Sequence, residues 1–247
     1  TRLHNAVSSS SFADDLLALT NTLSNLRMQA EKLSQYADWA NLIVSHKKTY
    51  VTANLNCAPS SNKQKDACRQ LEGKIIIQRK PATFLPPDQP FTYLGVQLTM
   101  TLDWSHQLQA MEAGLKIRLE CLRASYATPG QVLRILSTAV IPSLAYAFPV
   151  VPCSDIDLDR WDKMINNTVR STHGLMRCTP TAMLREDVNH FGLGCPSLKV
   201  EYATRSVQAM LHALRDAETE GRLGTITLAL TAHQLAQLDK TPAPGSA

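Results

Sequence analysis

The amino-acid sequence predicts an α+β protein in which a mixed N-terminal part precedes an all-α remainder. Before residue 103, short β-prone runs alternate with one helix and with polar or Pro-rich loops. From Asp103 onward, apolar residues recur at intervals of three and four, which is typical of amphipathic helices. We therefore predict domains at 1–102 and 103–238, followed by a disordered Pro/Gly/Ser-rich tail at 239–247.

In the N-terminal part, Asp14 and Asp15 stand between short apolar runs, as in a hairpin with a polar turn. A helix should begin near Asn21, because apolar residues then form one stripe: Leu23, Leu26, Ala30, Leu33, Ala37 and Ala40. Strands are predicted within 48–52, 74–78 and 91–98, and loops at 54–66 and 81–90.

Five helices and a shorter sixth are predicted after Asp103. The first follows Trp104, and the second begins with Thr128 as cap and Pro129 as first residue, with Pro142 ending or kinking it. Later helices should begin at Ser154, at Thr179 (broken by Gly192 and Gly194), at Pro196 (running to about Glu220) and near Ile226.

Composition excludes some classes of protein. With 44% hydrophobic residues and a net charge of +4, the chain of 247 residues can bury a core and is not disordered as a whole. Residues 136–151 form the longest apolar stretch, but two prolines interrupt it, and no membrane span is expected. Six cysteines without zinc-type spacing, and no visible signal peptide, favour an intracellular protein with reduced thiols.

The Asp14–Asp15 pair is the first candidate site. Two carboxylates held at a tight turn offer the hard oxygen ligands that Mg²⁺ prefers, while adjacent acids without a cation repel each other. A solvated turn is the simpler interpretation of the pair alone. The flanking residues make the pair more informative, because the run Phe12-Ala13-Asp14-Asp15 is followed directly by Leu-Leu-Ala-Leu.

This box resembles the catalytic F/Y-A-D-D box of reverse transcriptases from non-LTR (LINE-type) retrotransposons. Three further segments resemble motifs of that family and follow in the same order: Asn-Leu-Ile-Val-Ser-His-Lys-Lys-Thr at 41–49, the Tyr-Leu-Gly turn at 93–95, and Phe-Gly-Leu-Gly at 191–194, which is similar to a Gly-Gly-Leu-Gly segment. Asn41 stands where the family usually has Gly, and Ser45 where it has Asn. The resemblance covers residues 12–198 and implies part of a palm, with antiparallel strands plus a helix, followed by a helical thumb.

The resemblance also implies roles for single residues. Asp14 would ligate two Mg²⁺ ions, with Asp15 beside it, for nucleotidyl transfer in cDNA synthesis. Lys48 matches a lysine that neutralises the leaving pyrophosphate, although a lysine at a strand edge is the simpler interpretation from spacing alone. Tyr93, Leu94 and Gly95 would form the primer grip, where the alternative is a strand with a bend.

The partners implied by the resemblance are an RNA template, a DNA primer and dNTP, in a cytoplasmic ribonucleoprotein particle and in the nucleus. In the helical part, seven basic residues would support contacts of a thumb with the template–primer duplex, although such residues more often form a solvated surface. These residues are Lys163, Arg170, Arg177, Arg185, Lys199, Arg205 and Arg215.

A two-metal polymerase also needs fingers and a further palm Asp, which in the family precede the acid box. We therefore expect the fingers and upstream palm to belong to the same polyprotein, and the chain by itself to have no polymerase activity. Two alternatives remain open at this point: a non-catalytic helical nucleic-acid-binding module, or an inert relic derived from such an enzyme.

Overall fold

A computed structural model describes residues 9–12, 14–53, 71 and 73–218. It confirms the predicted α+β class, with long helices and short strands. The chain divides into two compact units between Gln107 and Leu108. The N-terminal unit contains every described strand and one long helix, and the C-terminal unit, here called the helical unit, is made of helices. The predicted helix near Ile226 and the tail at 239–247 lie outside the described residues.

The N-terminal unit opens with a hairpin and a helix. Strands β1 (Ser9–Phe12) and β2 (Asp15–Ala18) pair antiparallel. Helix α1 (Leu23–Trp39) begins where the stripe predicts, because the Thr22 hydroxyl caps it and accepts a hydrogen bond from the backbone N–H of Asn25 at 3.2 Å. The predicted stripe packs inward, with its two central alanines buried and its leucines half-buried against the core.

Six further strands follow in the N-terminal unit: β3 (Tyr50–Val51), β4 (Ile76–Ile77), β5 (Lys80–Pro81), β6 (Thr83–Phe84), β7 (Phe91–Tyr93) and β8 (Val96–Leu98). Adjacent strands form antiparallel pairs β4–β5 and β7–β8, whereas β3 pairs with β6 in parallel. The prediction of a loop over 81–90 is therefore wrong at its start, because β6 forms a strand there and pairs with β3, which is remote in sequence. The predicted loop at 54–66 lies outside the described residues.

The described helices from Ser105 onward are α2 (Ser105–Ala124), α3 (Pro129–Ile135), a π-helix (Leu136–Val140), α4 (Ile141–Ala145), α5 (Asp155–Thr172), α6 (Thr181–Arg185), a 3₁₀ turn (Val188–His190) and α7 (Leu198–Glu218). The side chain of Trp161 is fully buried in the helical unit. Within the described part of the chain, no helix is both long and apolar enough to cross a membrane.

The structure bears on two expected helix ends. At Pro142, where an end or a kink was expected, the helical path continues through one π-helical segment, in which the N–H of Ile141 donates to Leu136, and then resumes as α4. A proline ring clashes with the carbonyl four residues before it, and an inserted π turn relieves that clash. The fourth helix ends at Arg185, well before Gly192, because Glu186 adopts an extended backbone.

Candidate functional site

The Asp14–Asp15 pair lies at the tip of the first hairpin. Phe12 pairs with Asp15 across the two strands, so Asp14 belongs to the turn and Asp15 opens β2. Both side chains are exposed, and neither makes a hydrogen bond or ion pair with another described side chain. Such carboxylates fit part of the donor set of a hard divalent cation. Among the described residues, no group of three His, Cys, Asp or Glu side chains could complete it.

Lys48 lies in a turn immediately before β3. Its backbone N–H donates to the carbonyl of Ser45 at 2.9 Å, and the Tyr50 hydroxyl donates to the carbonyl of Lys47 at 3.0 Å. These bonds fix the turn and leave the Lys48 side chain exposed. Its ammonium group makes no ion pair with Asp14 or Asp15 in the described part of the chain. The structure thus places Lys48 in a turn rather than along a strand edge.

Gln78 is a positioning residue that sequence reasoning missed. Its side-chain oxygen accepts from the N–H of Val44 at 2.8 Å, and its side-chain nitrogen donates to the Leu42 carbonyl at 2.8 Å and the Asp38 carboxylate at 3.0 Å. Its own N–H donates to the Ser34 hydroxyl at 3.0 Å. Two of these bonds hold the segment after α1, which carries the second family-like motif, against the β4–β5 turn, and the other two join that turn to α1 itself. A single glutamine in a β-prone run gives no sequence signal of such a role.

The predicted primer-grip residues form the turn between β7 and β8. Tyr93 pairs with Val96, so Leu94 and Gly95 form a two-residue loop, and both have positive φ (48° and 76°). Positive φ at both positions characterises type I′ hairpins, where Gly is ordinary at the second position but Leu at the first is strained. Gly95 is exposed, whereas the Tyr93 hydroxyl is buried without a hydrogen-bond partner among the described residues. The turn backbone, rather than the tyrosine hydroxyl, faces outward.

The Phe-Gly-Leu-Gly segment at 191–194, which resembles the Gly-Gly-Leu-Gly segment of the family, folds back along α6. The N–H groups of Leu193, Gly194 and Cys195 donate to the carbonyls of residues 183, 186 and 184, at 3.2, 2.8 and 2.8 Å. Gly192 is required by this path, since a Cβ there would overlap the Glu186 carbonyl group. The glycine therefore has a clear structural role.

Four of the seven basic residues surround one opening in the helical unit. We call this opening, with a volume of about 500 Å³, the cationic cleft. It is lined by Asp159, Asp162, Lys163, Asn166, Asn167, Arg170, Arg177, Thr181 and Arg185. Two other basic residues do not line the cleft and form ion pairs: Arg205 contacts Glu201 at 2.8 Å, and Lys199 contacts Asp155 and the cleft-lining Asp159 at 3.1 and 3.2 Å.

Lys199 connects the start of α7 to the first turns of α5. Its hydrogen bonds to Asp155 and Asp159 raise the pKa of the ammonium group above its ordinary value. The sequence identifies the basic residues as a set, but it cannot show that α5, α6 and the segment between them bring four of these residues together, while Lys199 pairs with Asp155 and Asp159.

Comparison with known proteins gives one relevant similarity. No protein-family model matches the chain. Over 188 residues it is 23% identical to the "Retrovirus-related Pol polyprotein from type-1 retrotransposable element R2" of Nasonia vitripennis, which covers 76% of the chain. The chain spans about a fifth of that relative's length, the matched part being 18% of it. The similarity supports a retrotransposon-related origin for this chain.

Proposed function

We propose that this chain is the C-terminal palm, primer-grip and thumb part of an RNA-directed DNA polymerase (reverse transcriptase) of a non-LTR retrotransposon. The observation that carries the proposal is the hairpin with Asp14 in its turn, formed by a family-like acid box. The similarity of the chain to a retrotransposon Pol polyprotein supports it independently.

Each predicted site residue has a role in this proposal. Asp14 would hold Mg²⁺ together with a palm carboxylate from upstream in the polyprotein, and Asp15 would stand beside it. When bound, two Mg²⁺ ions supply activation of the primer 3′-hydroxyl and stabilisation of the leaving pyrophosphate. Lys48 would place a cation where negative charge develops on the leaving group. The Leu94–Gly95 turn would let the primer backbone approach closely, because Gly95 has no side chain.

An exposed apolar surface on the N-terminal unit supports the need for upstream palm and fingers. Four large apolar side chains near the end of α1 are exposed: Tyr36, Trp39, Leu42 and Ile43. Trp39 retains 81% of its accessible surface and Ile43 retains 94%. A surface of this kind commonly packs against another protein segment, and upstream palm elements of the same polyprotein would cover it. The 247-residue chain by itself should therefore lack polymerase activity.

The genomic DNA upstream of the Thr1 codon offers the first test. We expect an open frame that encodes fingers and a palm strand carrying an Asp between apolar residues. Stop codons or unrelated sequence would instead favour a relic, in which Asp14 and Lys48 reflect ancestry rather than chemistry.

Primer extension on an RNA template tests the chemistry directly. The 247-residue chain should give no extension, whereas the chain joined to its upstream frame should extend the primer with Mg²⁺ and lose that activity on Asp14→Asn. Asp88→Asn is the matched control, because it removes another exposed carboxylate of the N-terminal unit. Extension by the short chain would contradict the claim of incompleteness. Full activity of the Asp14→Asn variant would contradict the role of Asp14.

A further inference from the structure

Helix α7 carries two apolar faces. The inner face packs into the helical unit, since Leu198 and Ala213 are buried. The second face, here called the outer stripe, is a row of exposed apolar residues that stand three, four or seven positions from Val207 and therefore share one side of the helix. The residues of the outer stripe are Val200, Val207, Met210, Leu211 and Leu214.

The outer stripe is open along its length. Val200 keeps 65% of its accessible surface, and Leu214, the most covered of the row, keeps 38%. The row extends for about 20 Å, at about 1.5 Å per helical residue. A single exposed apolar residue is ordinary on a protein surface, but a contiguous row usually packs against another segment of protein. We therefore expect another segment to cover the outer stripe.

The residues that follow α7 in the sequence offer a matching surface. Residues 225–238 contain no Asp, Glu, Lys or Arg, and a helix is predicted there from the sequence. On a helix, Leu228, Ala232 and Leu235 would share one side because they stand four and three positions apart, and Leu238 extends that side. Short helices are marginal by themselves in water, so this segment needs an apolar surface on which to bury its leucines.

The connection between α7 and this segment is suited to folding back. Residues 219–224 lie between them and include Gly221 and Gly224, which favour a turn after the end of a helix. Helices joined by about two to eight residues commonly pack antiparallel. In that arrangement residues 225–238, about 20 Å long as a helix, would run alongside the outer stripe from its Leu214 end.

A second copy of the chain fits the outer stripe less well. Stable interfaces between separate chains usually bury at least about 1,200 Å² in total, and one row of partly covered side chains offers less than that. A segment of the same chain needs a smaller contact, because a short connection holds it at an effective concentration in the millimolar range. The position of residues 225–238 directly after α7 therefore favours them as the occupant.

We propose that residues 225–238 form a helix that packs antiparallel on the outer stripe and closes this side of the helical unit. The leucines of the segment cover the stripe, so this face of α7 is an internal contact of the chain and not a docking site for another protein. The inference goes beyond the proposed function and does not depend on it, since it needs neither Asp14 nor Lys48 nor a bound nucleic acid.

Methionine oxidation in the full chain tests the contact, because Met210 lies in the outer stripe. With dilute hydrogen peroxide and peptide mass spectrometry, Met210 should react severalfold faster in the variant Leu228→Asp/Leu235→Asp than in the wild-type chain. The matched control is Gln234→Asp/Gln237→Asp, which adds the same two charges on the other side of the predicted helix. This control should leave the rate at Met210 unchanged.

Met176 serves as the internal standard, because it is exposed outside α7. Its rate of oxidation should be the same in all three proteins. The proposal is overturned if Met210 reacts as fast as Met176 in the wild-type chain, or if both double variants accelerate Met210 equally.

Amide hydrogen exchange of the wild-type chain gives a second readout, which needs no variant. Residues 225–238 should exchange more slowly than a free peptide of the same sequence, because a helix packed on α7 protects its backbone N–H groups. Exchange at the rate of the free peptide would overturn the proposal even if the double variants failed to fold.

Light scattering after gel filtration distinguishes the segment from a second copy. We expect Leu211→Asp, a change within the outer stripe, to leave the molar mass of the chain unchanged. A dimer that this variant dissociates would assign the outer stripe to a second copy and overturn the proposal. None of these outcomes bears on the proposed function.

Discussion

The two units of this protein differ in the length of their secondary-structure elements and in the size of the core that each one buries. The described strands of the N-terminal unit are two to four residues long and form four separate two-stranded sheets. Its main core cluster consists of Ala30, Val51, Ile75, Ile77 and Ala82. Two-stranded sheets are marginal by themselves in water, so this unit depends on packing against α1.

The helical unit has long helices around a closed interior. Trp161, Ile165 and Val169 of α5 are fully buried, as are Leu115 of α2 and Leu198 of α7. The polar Asp162 on the same helix is also buried, with three partners. The difference between the units therefore lies in their cores: the helical unit buries the larger described core, whereas large exposed apolar side chains occur in both units, among them Trp39 and Ile43 in one and Tyr126 and Phe191 in the other.

Removal of a buried tryptophan should have the largest effect. Trp161→Ala leaves a cavity in the helical unit and should lower its free energy of unfolding by about 3–5 kcal/mol. Trp39→Ala in the N-terminal unit removes the same side chain from an exposed position and should change stability by less than about 0.5 kcal/mol. Urea denaturation followed by circular dichroism measures both variants. Similar losses for the two would contradict the contrast between the units.

Gly192→Ala should have the next largest effect. The added Cβ would meet the Glu186 backbone, so the returning segment must move, at a cost of roughly 1–3 kcal/mol. Gly130→Ala is the matched control, because a Cβ there meets no atom within 4 Å and Ala favours the helix by up to about 1 kcal/mol. Thermal unfolding distinguishes the two variants. A neutral Gly192→Ala would show that the segment is not held closely to α6.

A substitution at the strained turn of the N-terminal unit should increase stability. Leu94→Asn replaces a left-handed leucine by a residue that tolerates this conformation and creates an Asn-Gly turn, so we expect a gain of about 1 kcal/mol. Leu16→Asn, an exposed position on a strand without positive φ, should give no gain. Amide hydrogen exchange over residues 91–98 measures the effect locally. A loss of protection at Leu94→Asn would mean that the leucine side chain stabilises the hairpin.

Thiol reactivity should show the smallest effect. It tests which cysteine side chains are buried in the helical unit. Burial raises the pKa of Cys153 to about 12 and of Cys195 to about 11, whereas Cys121 and Cys178 are exposed. At pH 8 the exposed pair should be alkylated well before the other two, as read by peptide mass spectrometry. In urea all four should react alike.

The same thiols give a pH dependence with a definite sign. Their pKa is higher in the folded protein than the unfolded value of 9.0, so the unfolded chain releases these protons first as pH rises. Stability is retained below pH 9 and falls between pH 9 and about 12. The variant Cys195→Ala should lose less stability over that interval, and an unchanged profile would exclude Cys195 as a cause.

Local sequence signals placed many of the elements correctly. The first helix, expected from about Asn21, begins at Leu23, Pro129 begins α3 and Ser154 caps α5, because capping groups and apolar periodicity act within a few residues. The hairpin at Asp14 and the turn at Leu94 also lie within runs identified from sequence. The site assignments of Asp14, Asp15, Lys48, Tyr93, Leu94 and Gly95 stay predictions, since their positions are known but their chemistry is untested.

The sequence by itself determined the α+β class, the change to helices near Asp103 and the starts of the main helices, because these depend on neighbours along the chain. Only the tertiary structure decided the parallel pairing of β3 with β6, the four hydrogen bonds of Gln78 and the early end of α6. It also decided which basic residues share the cationic cleft. These features join residues that are remote in sequence, and their geometry depends on packing that no local pattern encodes.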